Sequence, residues 1–216
     1  MDLIKSYRPE TNSISSGQVL QCPYDSEKGK LIVKEMTDLL VLDLVDKKLV
    51  TDQMVLTIGY DIDNLTDAQI RNHYKGEVTT DRYGRKIPRH AHGTANLNCQ
   101  TSSTQIIMDA VMDLYDKIIN PKLLIRRVTV TANHLVDESQ ARKTQQFTQL
   151  DLFTDYAALE REKKEEEERL SKERKLQEAM LSVKKKFGKN AILKGMNLQE
   201  GATTIERNRQ IGGHKA

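Results

Sequence analysis

Residues 123–133, LLIRRVTVTAN, place the tightest constraint on what this chain can fold into. Val128, Val130 and Ala132 alternate there with Arg127, Thr129, Thr131 and Asn133. Successive side chains of a strand point to opposite faces, so the segment has one apolar and one polar side. It calls for a sheet that is buried on one face only, with a covering layer on that face. Residues 93–98 repeat the pattern, Ala95 and Leu97 facing inward and Thr94, Asn96 and Asn98 outward. Residues 53–60, QMVLTIGY, form a third β-branched and aromatic run with Leu56, Ile58 and Tyr60 on one side. A fourth, short strand fits residues 18–21, stopped by Pro23.

The covering layer is readable as two helices. Asp25 or Ser26 caps the first, which runs to about Asp46 with Ile32, Val33, Met36, Leu39, Leu40 and Leu44 on a broad apolar side. The second starts from Ser102, Ser103 and Thr104, turns Ile107, Ala110, Val111, Leu114 and Ile118 inward, and ends before Asn120-Pro121. The order is β-α-β-β-α-β. The expected class is α+β, a split βαβ arrangement with a four-stranded sheet and both helices on one face. The other face is left bare, with Thr94, Asn96, Asn98, Arg127, Thr129, Thr131 and Asn133 on it, residues that donate to phosphate oxygens without reading bases. With no aromatics among them, stacking of single-stranded bases is not expected. A merely solvated sheet face is the competing reading.

The net charge of +3 is too small to steer nucleic acid by itself, so any such surface depends on local placement of cations. The connection over residues 63–92 supplies Arg71, Lys75, Arg82, Arg85, Lys86 and Arg89 with few acids, and residues 81–86 look like a hairpin tip. His73, His90 and His92 gather no Cys, Asp or Glu at ligand spacing, and no metal site is expected. Phosphate-cradling glycine loops and nucleophile elbows are missing from the sequence, and no catalytic residue is assigned. Cys22 and Cys99 stand alone, as in a reducing compartment. No apolar run approaches the roughly 18 residues of a membrane span, and the first ten residues lack a signal-peptide core, so a cytoplasmic location is expected.

The pattern changes after residue 137. Residues 1–16 read as a linker, 17–137 as the folded DNA-binding domain, 138–156 as a second linker, 157–187 as a charged helix and 188–216 as a flexible, glycine-bearing tail. Leu176, Met180, Val183 and Phe187 form the one apolar stripe of the helix. Within the second linker lies Gln149-Leu150-Asp151-Leu152-Phe153, a short linear motif in which Leu152 and Phe153 anchor in a pocket and Gln149 fixes register.

This pentapeptide is similar to the sliding-clamp-binding motif of bacterial replication and repair proteins. Residues 15–63, 90–118 and 123–138 resemble the little-finger domain of Y-family translesion polymerases of the DinB/UmuC type, especially UmuC-like members from Gram-positive bacteria. Residues 184–216 resemble the tail of those proteins. The resemblance implies a module that grips primer-template duplex through its sheet and hairpin cations, docks on the sliding clamp and serves DNA repair in the SOS response. It also implies that the carboxylates holding Mg²⁺ for nucleotidyl transfer belong to a separate catalytic half. No Asp or Glu in this sequence inherits that role, no cofactor is expected in this chain, and the chain alone is expected to be inactive, whether as a fragment, a truncated frame or one half of a split enzyme. The alternative is a regulatory or scaffold protein whose sheet and tail bind proteins.

Overall fold

The computed structural model describes residues 12–141, 156–211 and 214–215. In chain order the domain is built from β1 (Ile14–Tyr24), α1 (Ser26–Asp46), β2 (Leu49–Tyr60), α2 (Asp63–Thr66), α3 (Ala68–His73), β3 (Val78–Thr80), β4 (Lys86–Pro88), β5 (Ala91–Thr101), α4 (Thr104–Ile118), β6 (Ile125–Asn133), β7 (Val136–Asp137) and α5 (Glu138–Ala141). Beyond it lie α6 (Tyr156–Phe187), a 3₁₀ turn (Gly195–Leu198), α7 (Thr204–Arg207), β8 (Gln210–Ile211) and β9 (His214–Lys215).

The four long strands run β1-β6-β2-β5, every neighbouring pair antiparallel, as the α+β reading requires. Two-residue β7 adds a fifth member by pairing with Leu49 and Val50 at the start of β2. β1 begins at Ile14, inside the stretch expected as a linker, and it passes through Pro23 where a stop was expected. It is an edge strand whose register with β6 shifts between Val19 and Tyr24, and an edge with a shifted register accommodates a residue that cannot donate.

α1 and α4 cover one face. Leu56, Ile58, Val128, Val130 and Ala132 are fully buried beneath Ile32, Val33, Met36, Ile107 and Val111. The Asp25 carboxylate accepts from the Lys28 N–H at 2.8 Å and caps α1; the Ser103 hydroxyl accepts from the Ile106 N–H at 3.3 Å and caps α4. The helices sit close to the sheet because glycines lie at the contacts, Gly29 on α1 and Gly93 on β5. A Cβ on Gly29 would meet Ile125 Cδ1 at 2.3 Å, and one on Gly93 would meet Leu114 Cδ1 at 2.7 Å. The Tyr115 hydroxyl ties the helices together by donating to the Ser26 carbonyl at 2.7 Å, and burial pushes the phenol's pKa upward.

α1 is buried nearly all round, Glu35, Thr37 and Asp38 included, because its outer side is also covered. The cover is the end of α6, where Lys185 pairs with Asp46, together with residues 188–211, the latter expected from their glycines to be part of a flexible tail. Polar bonds hold this segment, and apolar periodicity could not reveal them. Asn197 donates to Glu35 at 2.8 Å, the Thr203 N–H to the same carboxylate at 2.7 Å, and Lys194 pairs with Asp38. The stripe expected on α6 is also shifted. Leu176 and Phe187 are 60% and 68% exposed and only Met180 of the four is buried, because the docked side is the one carrying Glu173, Gln177 and Met180. Glu173 accepts from the Ser103 hydroxyl at 2.6 Å and the Gln105 N–H at 3.0 Å, adding a second cap to α4, and Gln177 donates to the Ser102 carbonyl at 3.0 Å.

Candidate nucleic-acid interface

The uncovered face collects the residues that alternation assigns to it. Thr94, Asn96 and Asn98 are exposed on β5; Arg127 is exposed and Thr129, Thr131 and Asn133 half-buried on β6. β2 lies between these strands and contributes Gln53, Val55 and Thr57, which the sequence reading did not single out although the inward Leu56 and Ile58 imply them. Register places Asn133, Gln53 and Asn96 in one row across three strands; the next rows hold Ser15, Thr131, Val55 and Thr94, then Gly17, Thr129, Thr57 and His92.

These side chains order one another. Asn133 Nδ2 donates to Gln53 Oε1 at 3.0 Å and Gln53 Nε2 donates to Asn96 Oδ1 at 2.9 Å, an amide chain running across the strands. Thr57 Oγ1 lies 2.9 Å from His92 Nδ1, and the Thr131 hydroxyl donates to Ser15 Oγ at 2.9 Å. His90 and His92 stand edge to face, their ring centroids 6.3 Å apart. Gly59 leaves room beside Arg127, since an added Cβ would lie 3.2 Å from Arg127 Cβ.

The basic connection is more structured than a loop. Asn64, fully buried, donates from Nδ2 to the Asp61 and Leu124 carbonyls at 2.8 and 2.9 Å and accepts the Leu124 N–H at 2.7 Å, pinning α2 to the start of β6. β3 and β4 form the expected hairpin, with its tip at residues 81–85. Asp81 Oδ1 accepts from the N–H groups of Tyr83 and Arg85, both at 2.9 Å, and Gly84 takes the φ of +79° that the turn needs. Those bonds, together with the Arg85 side chain, hold the Asp81 carboxyl below its ordinary pKa.

The cations of the hairpin and of β6 divide into two groups. Arg85 pairs with Asp81 at 2.7 Å and Arg89 pairs with Glu77, so their charge is partly spent inside the hairpin. Arg82, Lys86 and Arg127 make no ion pair among the described residues; Arg82 lies over the Tyr83 ring, 5.0 Å from its centroid. Arg71, Arg85 and Lys86 also line an open groove of about 710 Å³ with Ile62, Leu65 and Tyr74. Gln149, Leu150, Asp151, Leu152 and Phe153 lie outside the described residues.

Residues 11–152 match the impB/mucB/samB family C-terminal domain. The chain belongs to this family. The match spans the sheet, both covering helices and the basic hairpin, and identifies the chain as a C-terminal part of the Y-family polymerases it resembles in sequence. No curated protein matches it. A solved structure described as a complex of the β-clamp processivity factor and the little finger domain of PolIV is similar at 10% identity and a TM-score of 0.38, covering 66% of this chain and 100% of that one. Among the described residues no helix is long and apolar enough to cross a membrane, and no three His, Cys, Asp or Glu side chains gather where they would hold a metal ion.

Proposed function

We propose that this impB/mucB/samB C-terminal domain grips primer-template DNA for a translesion polymerase and tethers that polymerase to the sliding clamp. The observation that carries the DNA half is the cross-strand chain of Asn133, Gln53 and Asn96, with Thr57, Thr129 and Thr131 in the rows beside it and Arg127, which makes no ion pair among the described residues, in the row opposite Gly59 on the same face. Fixed amide and hydroxyl donors with one cation suit the phosphates of a duplex backbone, which positions a nucleic acid without reading its sequence. Arg82 and Lys86 on the hairpin extend the cationic contact. Among the described residues the outward positions of the four strands carry no Phe, Tyr or Trp on which bases could stack in succession, which favours duplex over single strand.

The clamp half rests on the sequence of Gln149, Leu150, Asp151, Leu152 and Phe153 alone. Nucleotidyl transfer and its Mg²⁺ are assigned to a catalytic half that supplies the metal-binding carboxylates. Binding of the full chain to a bacterial sliding clamp, compared with a Leu152→Ala/Phe153→Ala variant, tests the tether. Equal binding by both proteins removes the motif from the interface. Fluorescence anisotropy on primer-template DNA across a salt series tests the grip, and an affinity indifferent to salt would contradict phosphate contact.

A further inference from the structure

The segment of residues 188–211 is attached differently from the way α1 and α4 cover the sheet. Over residues 188–210 the buried side chains are Asn197 and Thr204, both polar; Ile192, Leu193 and Met196 are half-buried and Leu198 is exposed. What holds the segment is Glu35 on the outer side of α1, 1% exposed. Asn197 Nδ2 and the Thr204 N–H donate to its Oε1 at 2.8 and 3.4 Å, and the Thr203 N–H donates to its Oε2 at 2.7 Å. Lys194 pairs with Asp38 one turn along, Gln18 donates to the Thr203 hydroxyl at 2.9 Å, and Arg207 donates to Ser16 at 2.6 Å.

If the segment lifts away, Glu35 and Asp38 face water, and each lost bond is largely replaced by one to solvent. Parting α1 from the sheet would instead expose Ile32, Val33 and Met36, for which water offers no replacement. Regions poor in buried apolar contacts open at lower free energy than the core. We propose that residues 188–211 form a releasable strap, and that the acidic outer face of α1 around Glu35 and Asp38 is a peptide-docking site whose resident occupant is that strap. The site recognises a lysine, an asparagine amide and two consecutive backbone N–H groups directed at one carboxylate. The same segment of a second copy of this chain carries that set. Lys194 and Met196 also wall a groove of about 290 Å³ against Leu42, Met108 and Met180, so release opens apolar surface beside the acidic pair. The strap lies on the helix side of the sheet, away from the uncovered face.

Hydrogen exchange on the full chain is the test. The N–H groups of Thr203 and Thr204, bonded to Glu35, and those of Arg207 and Asn208, bonded within α7, are expected to exchange at least about tenfold faster than those of β2 and β6. Glu35→Gln turns one acceptor into a donor facing donors, and is expected to speed strap exchange about tenfold more while leaving β2 and β6 unchanged. Lys194→Ala, at a partly exposed position, moves the same amides less. A labelled peptide of residues 188–211 is expected to bind the Lys194→Ala chain and not a Glu35→Gln/Lys194→Ala chain. Strap amides exchanging in step with β2 and β6, sheet protection falling equally in Glu35→Gln, or no peptide binding to Lys194→Ala would each overturn the proposal.

Discussion

Thr57 and Ile58 are neighbours in one strand and belong to two different chemistries. Ile58 is fully buried under the helices, while Thr57 meets His92 on the uncovered side. The inner face is ordered by close packing of aliphatic side chains, which interlock whatever partner is present. The outer face has no such packing, and its side chains are ordered by bonds to one another across strands. A sheet can thus keep donors in fixed positions at its surface because the rigidity comes from its reverse side. This is the division of labour a binding platform needs.

The largest effect is expected on the inner side. Ile58→Ala is expected to cost about 2–5 kcal/mol in chemical denaturation, the range for a large buried aliphatic whose site collapses only in part. A loss below about 1 kcal/mol would mean that the inner face is loosely packed and cannot be the source of rigidity. Gln53→Ala is the outer counterpart. It removes both bonds of the amide chain, yet the freed Asn133 and Asn96 groups can reach water, so the expected cost is about 0.5–1.5 kcal/mol. DNA affinity should fall with it at constant fold, and an unchanged affinity would show that the amide chain only decorates the face.

Much of this division is legible in the sequence because alternation with period two encodes it directly. Val128, Val130 and Ala132 against Thr129, Thr131 and Asn133, and the Asp25 cap of α1, are local signals with local consequences. Gln53 and Thr57 were recoverable from the same rule, applied to the strand whose inward residues were already assigned. The strap was not recoverable. Glu35 and Asp38 stand on a helix whose apolar side is already broad, and a carboxylate at such a position reads as solvated surface until its donors, more than 150 residues later, are placed beside it. Glu173 has the same character: its capping of α4 joins residues 68 positions apart, within a charge-dense stretch that offers no period to read.

Arg127→Ala sharpens the functional side with little effect on stability. The side chain is exposed, so the unfolding free energy should stay within about 0.5 kcal/mol. If it neutralises a phosphate, the slope of log affinity against log salt should shrink by about 1, uniformly across DNA sequences. A slope that does not change would move Arg127 off the interface and leave the hairpin as the cationic contact.

The smallest effect belongs to the hairpin tip, where one carboxylate decides how much positive charge is available. The bonds from Arg85 and Tyr83 depress the Asp81 pKa, so what the ionised group contributes to tip order is present above the ordinary aspartate value of about 3.9 and is lost as pH falls through the lower folded value. Between pH 7 and 5 the Tyr83 and Arg85 amide resonances should therefore stay fixed, moving only on stronger acidification. Asp81→Asn keeps an acceptor for both N–H groups while removing the charge that pairs with Arg85. With Arg85 released toward solvent, DNA binding at neutral pH should tighten slightly and its salt slope should grow by less than about 1. Weaker binding instead would mean that the geometry Asp81 imposes on the tip matters more than the cation it holds back.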